Sequence, residues 1–180
     1  MTPRLKTIYD KEILPKLMAK LNYKNKHQAP KVTKVVLNIG LGEDASDTKK
    51  VKACQDDLTL IAGQKAVVTK YKKSISNFKT RKGYPAGVKV TLRSTKMYEF
   101  IDRLVNIALP RIKDFRGYSK KSFDGQGNIT IGIKDHIIFP EISVENVENI
   151  FGFDITIATS ATNDKEGYEL LKLMNFPFLN

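Results

Sequence analysis

Residues 65–93 read KAVVTKYKKSISNFKTRKGYPAGVKVTLR, and the ends of this stretch follow a different rule from its middle. At the C-terminal end, Val88, Val90 and Leu92 alternate with Lys89, Thr91 and Arg93. A period of two predicts a strand with one apolar and one polar face. At the N-terminal end, Ala66–Lys72 reads as a second strand, and the long basic connection joins the two. The whole stretch holds nine cations (Lys65, Lys70, Lys72, Lys73, Lys79, Arg81, Lys82, Lys89 and Arg93) and no Asp or Glu, in a chain of net charge +12. Tyr71, Phe78 and Tyr84 are interleaved among them, and Gly83, Pro85 and Gly87 punctuate the run. Cations that track phosphates, with aromatic faces open for stacking, form the footprint of a nucleic-acid surface. An ordinary solvated loop mixes both charge signs.

Outward from this stretch the same two-residue period recurs. VTKVVLNIG at 32–40 turns Val35, Leu37 and Ile39 one way and Lys34, Val36 and Asn38 the other. Ile129, Ile131 and Ile133 oppose Asn128, Thr130 and Lys134, and Phe153–Thr159 is a fifth strand. Between the strands the period lengthens to that of a helix. Val51, Cys54, Leu58 and Ile61 form one stripe, started near Ser46 or Asp47 and stopped at Gly63; Met97, Ile101, Leu104, Val105 and Ala108 form another, capped by Ser94 or Thr95 and ended by Pro110. Thr2-Pro3 opens an N-terminal helix that Pro15 kinks or divides, and Asn163 with Glu166 starts a last helix carrying Leu170, Leu171 and Met174. Half-polar strands need one covered and one open face. The fold class is therefore α+β: a mostly antiparallel (mixed) sheet, helices on one face, the other face open. That open face shows Lys34, Asn38, Lys89, Thr91 and Arg93.

Length and composition fit a single domain over 1–180 with a long projecting basic loop at 73–86. The single cysteine, Cys54, excludes an internal disulfide and lies on an apolar helical stripe, which marks a buried structural thiol. The N-terminus lacks the apolar run of a signal peptide, and no stretch approaches the length that spans a bilayer, so the expectation is a soluble intracellular protein without a membrane role. Charge is uneven. Residues 1–34 hold nine cations against two acids, whereas residues 135–180 hold two cations against eight acids. The two ends therefore predict different partners.

Three motifs suggest chemistry and fail on inspection. Gly40, Gly42 and Ala45 fit G-x-G-x-x-A between a strand and a helix, the context of a dinucleotide site. Glu43 and Asp44, however, stand where a pyrophosphate would sit, and no acid follows near 60–65 to hold a ribose. His27 and His136 are the only histidines, and no carboxylate spacing completes a metal site. Asp135 and His136 could be imagined with Ser119, Ser122 or Ser143, but neighbours on an extended segment point apart and no G-x-S-x-G elbow occurs. Glu141, Glu145 and Glu148 read as one solvated face. No catalytic residue, metal site or cofactor is predicted.

The runs KVVLNIGLGE, YKKSISNFKTRKGYPAGVKVTLR, FRGYSKKSFDGQGN, IIFPEI, FDITIATSA and NFPF resemble the bacterial-type large-subunit ribosomal protein family numbered five, over essentially the whole chain. The resemblance implies a non-enzymatic protein that binds 5S rRNA and helps attach it in the central protuberance. It implies that Asn38, Gln64 and Thr91 hydrogen-bond that RNA. The open face and the basic stretch add Lys34, Lys65, Lys70, Lys89 and Arg93 as the expected phosphate partners. The resemblance further implies that the basic loop, through Ser74, Ser76, Asn77, Phe78, Lys79, Thr80, Arg81 and Lys82, meets P-site tRNA. Its other implied partners are 23S rRNA, neighbouring central-protuberance proteins and the small-subunit head protein numbered thirteen, in an intersubunit bridge. The implied location is a ribosome, cytoplasmic or organellar. From other classes, a free-standing tRNA-binding accessory domain or enzyme and a nucleotide-dependent oxidoreductase stand as alternatives.

Overall fold

Alternation along Val32–Gly40 decides the sheet: Val35, Leu37 and Ile39 are buried, while Lys34 is exposed and Asn38 half-buried. The structure is a computed structural model describing residues 2–113, 115–143 and 149–179. Glu145 and Glu148 lie outside the described residues. Five strands, β1 (Val32–Gly40), β2 (Val67–Lys70), β3 (Pro85–Leu92), β4 (Ile129–Ile133) and β5 (Phe153–Thr159), form one antiparallel sheet in the order β2-β3-β1-β5-β4. The α+β class follows. The chain divides into two compact units, one of Met1–Val35, Leu92–Ile131 and Thr156–Asn180, the other of Val36–Thr91 and Gly132–Ile155. The breaks between units fall inside strands rather than in a linker.

In the first unit, α1 (Arg4–Ile8) and α2 (Leu14–Leu21) are joined by a π-helical turn, Tyr9–Ile13. Pro15 cannot donate a backbone hydrogen bond and its ring crowds the carbonyl four residues earlier. The wider π turn directly before α2 accommodates that defect, so the expected kink is an extra residue in the winding. Leu5, Tyr9, Ile13 and Leu17 form the buried stripe, and the Tyr9 hydroxyl donates to the Pro30 carbonyl at 3.0 Å. Arg4 clamps Asp102 through Nε (3.1 Å) and a second guanidinium nitrogen (2.6 Å). Asp102 belongs to α4 (Ser94–Arg103), which continues through a π turn at Leu104–Ala108.

Neither Ser94 nor Thr95 caps α4. Arg93 occupies the N-cap position without a side-chain hydrogen bond, and Ser94 takes a positive φ of 53°. β3 ends at Leu92, so the chain must turn from strand to helix within one residue. The left-handed Ser94 makes that turn, and the capping geometry is lost. Val105 is only half-buried, whereas Tyr98 and Phe100 join the core.

The last helix, α5 (Asp164–Leu173), begins as expected: Asn163 Oδ1 accepts from the Glu166 amide at 3.0 Å, and Glu166 Oε2 accepts from the Thr162 amide at 3.0 Å. Gly167 is buried against the turn before β4, where a β-carbon would come within 2.5 Å of the Gly127 carbonyl oxygen. The C-terminal segment then lays Phe176 and Phe178 against Tyr118, Phe123 and Tyr168, with ring centroids 4.7–5.9 Å apart.

In the second unit, α3 (Thr48–Ala62) starts on Asp47, whose carboxylate accepts from the Lys49 amide, and stops at left-handed Gly63. Val51, Cys54, Leu58 and Ile61 are its buried stripe. Its last turns hold the start of β2: Gln55 Nε2 donates to the Ala66 carbonyl at 2.7 Å, and Thr59 Oγ1 accepts from the Ala66 amide at 3.0 Å. β2 pairs with β3 through Val67↔Lys89, Val68↔Val88 and Thr69↔Gly87, and the register shifts between Thr69 and Lys70. β2 ends at Lys70 rather than Lys72, directly after the register shift, and β3 starts at Pro85 rather than Val88, because Gly87 and Pro85 still pair with Thr69 and Lys70.

Candidate nucleic-acid interface

The second unit exposes a polar surface built from β1, β3 and the α3–β2 corner. On β3, Val88 and Val90 are buried while Lys89 is exposed and Thr91 half-buried. The β-structural period of two puts the last pair on the uncovered face. On β1 the same logic gives a half-buried Asn38 between buried Leu37 and Ile39. Gln64 follows the helix stop at Gly63, and its Nε2 donates to the Thr91 carbonyl at 3.3 Å. That bond brings Gln64 beside Thr91, a neighbourhood which spacing along the chain does not reveal. Lys65, just before β2, and Lys70, its last residue, are exposed. Lys34 and Arg93, both exposed, belong to the first unit.

The segment between β2 and β3 is itself a hairpin. The Tyr71 amide donates to the Tyr84 carbonyl at 2.9 Å, and the Gly83 amide to the Tyr71 carbonyl at 3.0 Å. Farther out, Ile75 and Thr80 exchange two backbone hydrogen bonds of 3.2 Å each. The tip is a four-residue turn closed by Lys79 N to Ser76 O at 2.9 Å, with Lys79 at φ 52°. The Lys82 amide also donates to Ser74 Oγ at 2.9 Å. The predicted loop at 73–86 thus corresponds to a ladder with a short turn, spanning 71–84. Local backbone bonds define it without a core of its own. Ser74, Ser76, Asn77, Phe78, Lys79, Arg81 and Lys82 are all exposed, and Thr80 is half-buried.

The hairpin also faces the turn after β1. Tyr71, Ile75, Asn77, Phe78, Lys79, Thr80, Tyr84 and Pro85 together with Gly42, Ala45 and Ser46 enclose a hollow of about 630 Å³. All three aromatics of the basic stretch line it, although of these only Phe78 was expected among the tRNA-facing residues. The available signal is symmetry: the two tyrosines sit five and five residues outside the Ser76–Lys79 turn.

The chemistry that the sequence suggested elsewhere is otherwise engaged. In the Gly40–Ala45 turn, the Leu41 amide bonds the Ala86 carbonyl at 3.2 Å and the Asp44 amide the Leu41 carbonyl at 3.0 Å. Those donors do not form a phosphate nest. Asp44 pairs with Lys50 at 2.5 Å. His136 is buried, and its Nδ1 accepts from the Phe151 amide at 3.1 Å, while Nε2 stands 3.5 Å from Asp57 Oδ2. Burial, with Asp57 adding to it, pushes the Cys54 thiol up to about 12. A thiol so placed holds its proton and stays unreactive. Among the described residues no group of three or more His, Cys, Asp or Glu is placed to hold a metal, and no helix is long and apolar enough to cross a membrane.

Two family models match in succession: "Ribosomal protein L5" over residues 25–81 and "ribosomal L5P family C-terminus" over residues 85–178. Full-length similarity agrees with them. The chain is 59% identical to the "Large ribosomal subunit protein uL5" of Pelagibacter ubique, over 99% of this chain and 97% of that one. It is 55% identical to the protein of the same name from a Thermoanaerobacter species, over 97% and 98%, and 53% identical to that of Geotalea daltonii, over 98% and 99%. With its fold, its cationic polar surface and these matches taken together, the chain belongs to the ribosomal L5 protein family.

Proposed function

We propose that this protein, a non-enzymatic constituent of the large ribosomal subunit, binds 5S rRNA through the polar surface of its second unit. The observation that carries this reading is the hydrogen bond from Gln64 Nε2 to the Thr91 carbonyl beside exposed Lys89. It supplies neutral groups able to fix register next to cations able to neutralise phosphates. RNA duplexes are read mainly by shape, phosphate and 2′-hydroxyl contacts, which suits such a mixture. Asn38, Gln64 and Thr91 serve as the hydrogen-bonding set, and Lys65, Lys70 and Lys89 as phosphate partners. Lys34 and Arg93 add further phosphate contacts from the first unit. The hairpin meets P-site tRNA and helps the subunit hold it. The later, acidic part of the chain faces a basic ribosomal neighbour, the small-subunit head protein numbered thirteen.

Attraction and register separate experimentally. Lys89→Gln should weaken 5S binding and reduce the slope of log affinity against log salt by about one. Thr91→Ala should weaken binding while leaving the slope unchanged. Identical salt slopes and affinities for both variants and the parent would refute the assignment of this surface.

A further inference from the structure

The hairpin leaves apolar rings in water without an evident folding benefit. Phe78 is 75% exposed, Tyr84 51% and Ile75 47%, all in one short ladder. They are not scattered: all three line the hollow of about 630 Å³ that the hairpin shares with the Gly42–Ser46 turn. That volume lies within the roughly 300–1,000 Å³ of small-molecule sites. Its walls combine aromatic and aliphatic side chains (Tyr71, Phe78, Tyr84 and Ile75) with the small residues Gly42 and Ala45. The hairpin side of the hollow favours an anion, because residues 65–93 carry no acid. On the turn side Asp44 is paired with Lys50 and the Asp47 carboxylate caps α3, which leaves Glu43 as the remaining acid of that turn. An aromatic platform inside a cationic funnel is the design by which proteins hold unstacked bases of single strands.

We propose that this hollow receives one nucleobase swung out of an RNA strand, held against the rings of Tyr71, Phe78 and Tyr84 while Lys79 and its neighbours Arg81 and Lys82 engage the flanking phosphates. This rests on the reading of the hairpin as an RNA-facing element and deepens it. The occupant is a base rather than a paired helix, because three aromatic side chains line a hollow of this size and Lys79 is the one cation among its described lining residues. Stacking tolerates any base, so the site selects unpaired geometry over sequence.

The test uses the full chain and a short single-stranded RNA with 2-aminopurine at its centre, a base whose fluorescence falls when it stacks on an aromatic ring. The same RNA annealed to its complement is the control. Binding should quench the single strand strongly and the duplex little. Tyr84→Leu and Phe78→Leu keep every charge and should weaken single-strand binding about ten-fold, the order of one lost stack. Ser46→Trp fills the hollow from the wall opposite the hairpin and should abolish quenching even if a hairpin variant folds poorly. Arg81→Gln should instead lower affinity while the bound strand stays quenched. Binding with an unquenched reporter would overturn the base site and leave the phosphate reading standing, with a protein side chain as the occupant. No salt-dependent binding of either RNA would overturn the hairpin's RNA role itself.

Discussion

At the scale of residues, the second unit separates groups that hold the fold from groups free to meet a partner. Asn38 and Thr91 alternate with buried neighbours, so truncating either removes little packing. Asn38→Ala, Gln64→Ala and Thr91→Ala should each weaken 5S rRNA binding by about 1–3 kcal/mol, the loss of a hydrogen bond plus the unpaired partner left behind. Their urea midpoints should stay near the parent's, which equilibrium unfolding checks alongside a binding titration. Cys54 makes the opposite case. It is fully buried with its thiol pushed up to about 12, so iodoacetamide at mildly alkaline pH should leave the folded protein unlabelled and label it promptly in denaturant. Its place on the Val51–Ile61 stripe was legible in the sequence, because a helical period has a definite inward side. Gln64 was not legible from spacing. A residue after a helix stop has no periodic neighbour, and only the folded corner brings its amide to the Thr91 carbonyl.

At the scale of elements, glycine marks where backbones must touch. A β-carbon on Gly87 of β3 would run into the Ile39 carbonyl oxygen of β1. Gly87→Ala should therefore destabilise the protein by roughly 1–3 kcal/mol, the usual cost of overpacking, read as a lower melting temperature. The start of α5 contributes in a pH-dependent way. Burial alone would raise the Glu166 carboxyl, but hydrogen bonds from Tyr23, Thr162 and Asn163 outweigh it and hold the group below its usual range. A folded pKa below the unfolded one contributes stability above the unfolded pKa of about 4.3, and loses it as pH falls through the folded value. Glu166→Gln should flatten the acid limb of the stability curve below about pH 4.5 while changing the alkaline limb little. The strand cores and the α5 cap were readable from period and capping chemistry. The left-handed Ser94 was not, since it answers a strand-to-helix connection set by the tertiary fold, and the π turns at Tyr9–Ile13 and Leu104–Ala108 were not, since a helical period does not show a local change of winding. The hairpin tip hid for a related reason. Its ladder is made by backbone bonds among Tyr71, Ile75, Thr80, Gly83 and Tyr84, whose side chains do not alternate between a buried and an open face and so leave no hydrophobic period.

At the scale of the whole molecule, the sign pattern of charge was the most legible feature and the geometry of the surface the least. A run of nine cations without an acid announces a polyanion, but only folding shows that some of these cations flank a sheet while others ride a separate hairpin. That separation predicts a division of labour. Replacing Ser74–Lys82 by a short Gly-containing turn leaves β2, β3 and their polar side chains in place. The shortened protein should still bind 5S rRNA and enter the large subunit, and ribosomes assembled with it should release P-site tRNA faster.

The measurement that bears most directly on the central claim is a competition titration of the full-length protein between 5S rRNA and an unrelated tRNA over a series of salt concentrations. Both RNAs present phosphates, so electrostatics alone would bind them alike and lose them together as counterions accumulate. Register-fixing contacts from Asn38, Gln64 and Thr91 predict that 5S rRNA remains bound at near-physiological salt after tRNA has been lost. Equal affinities that decay together across the series would contradict the account.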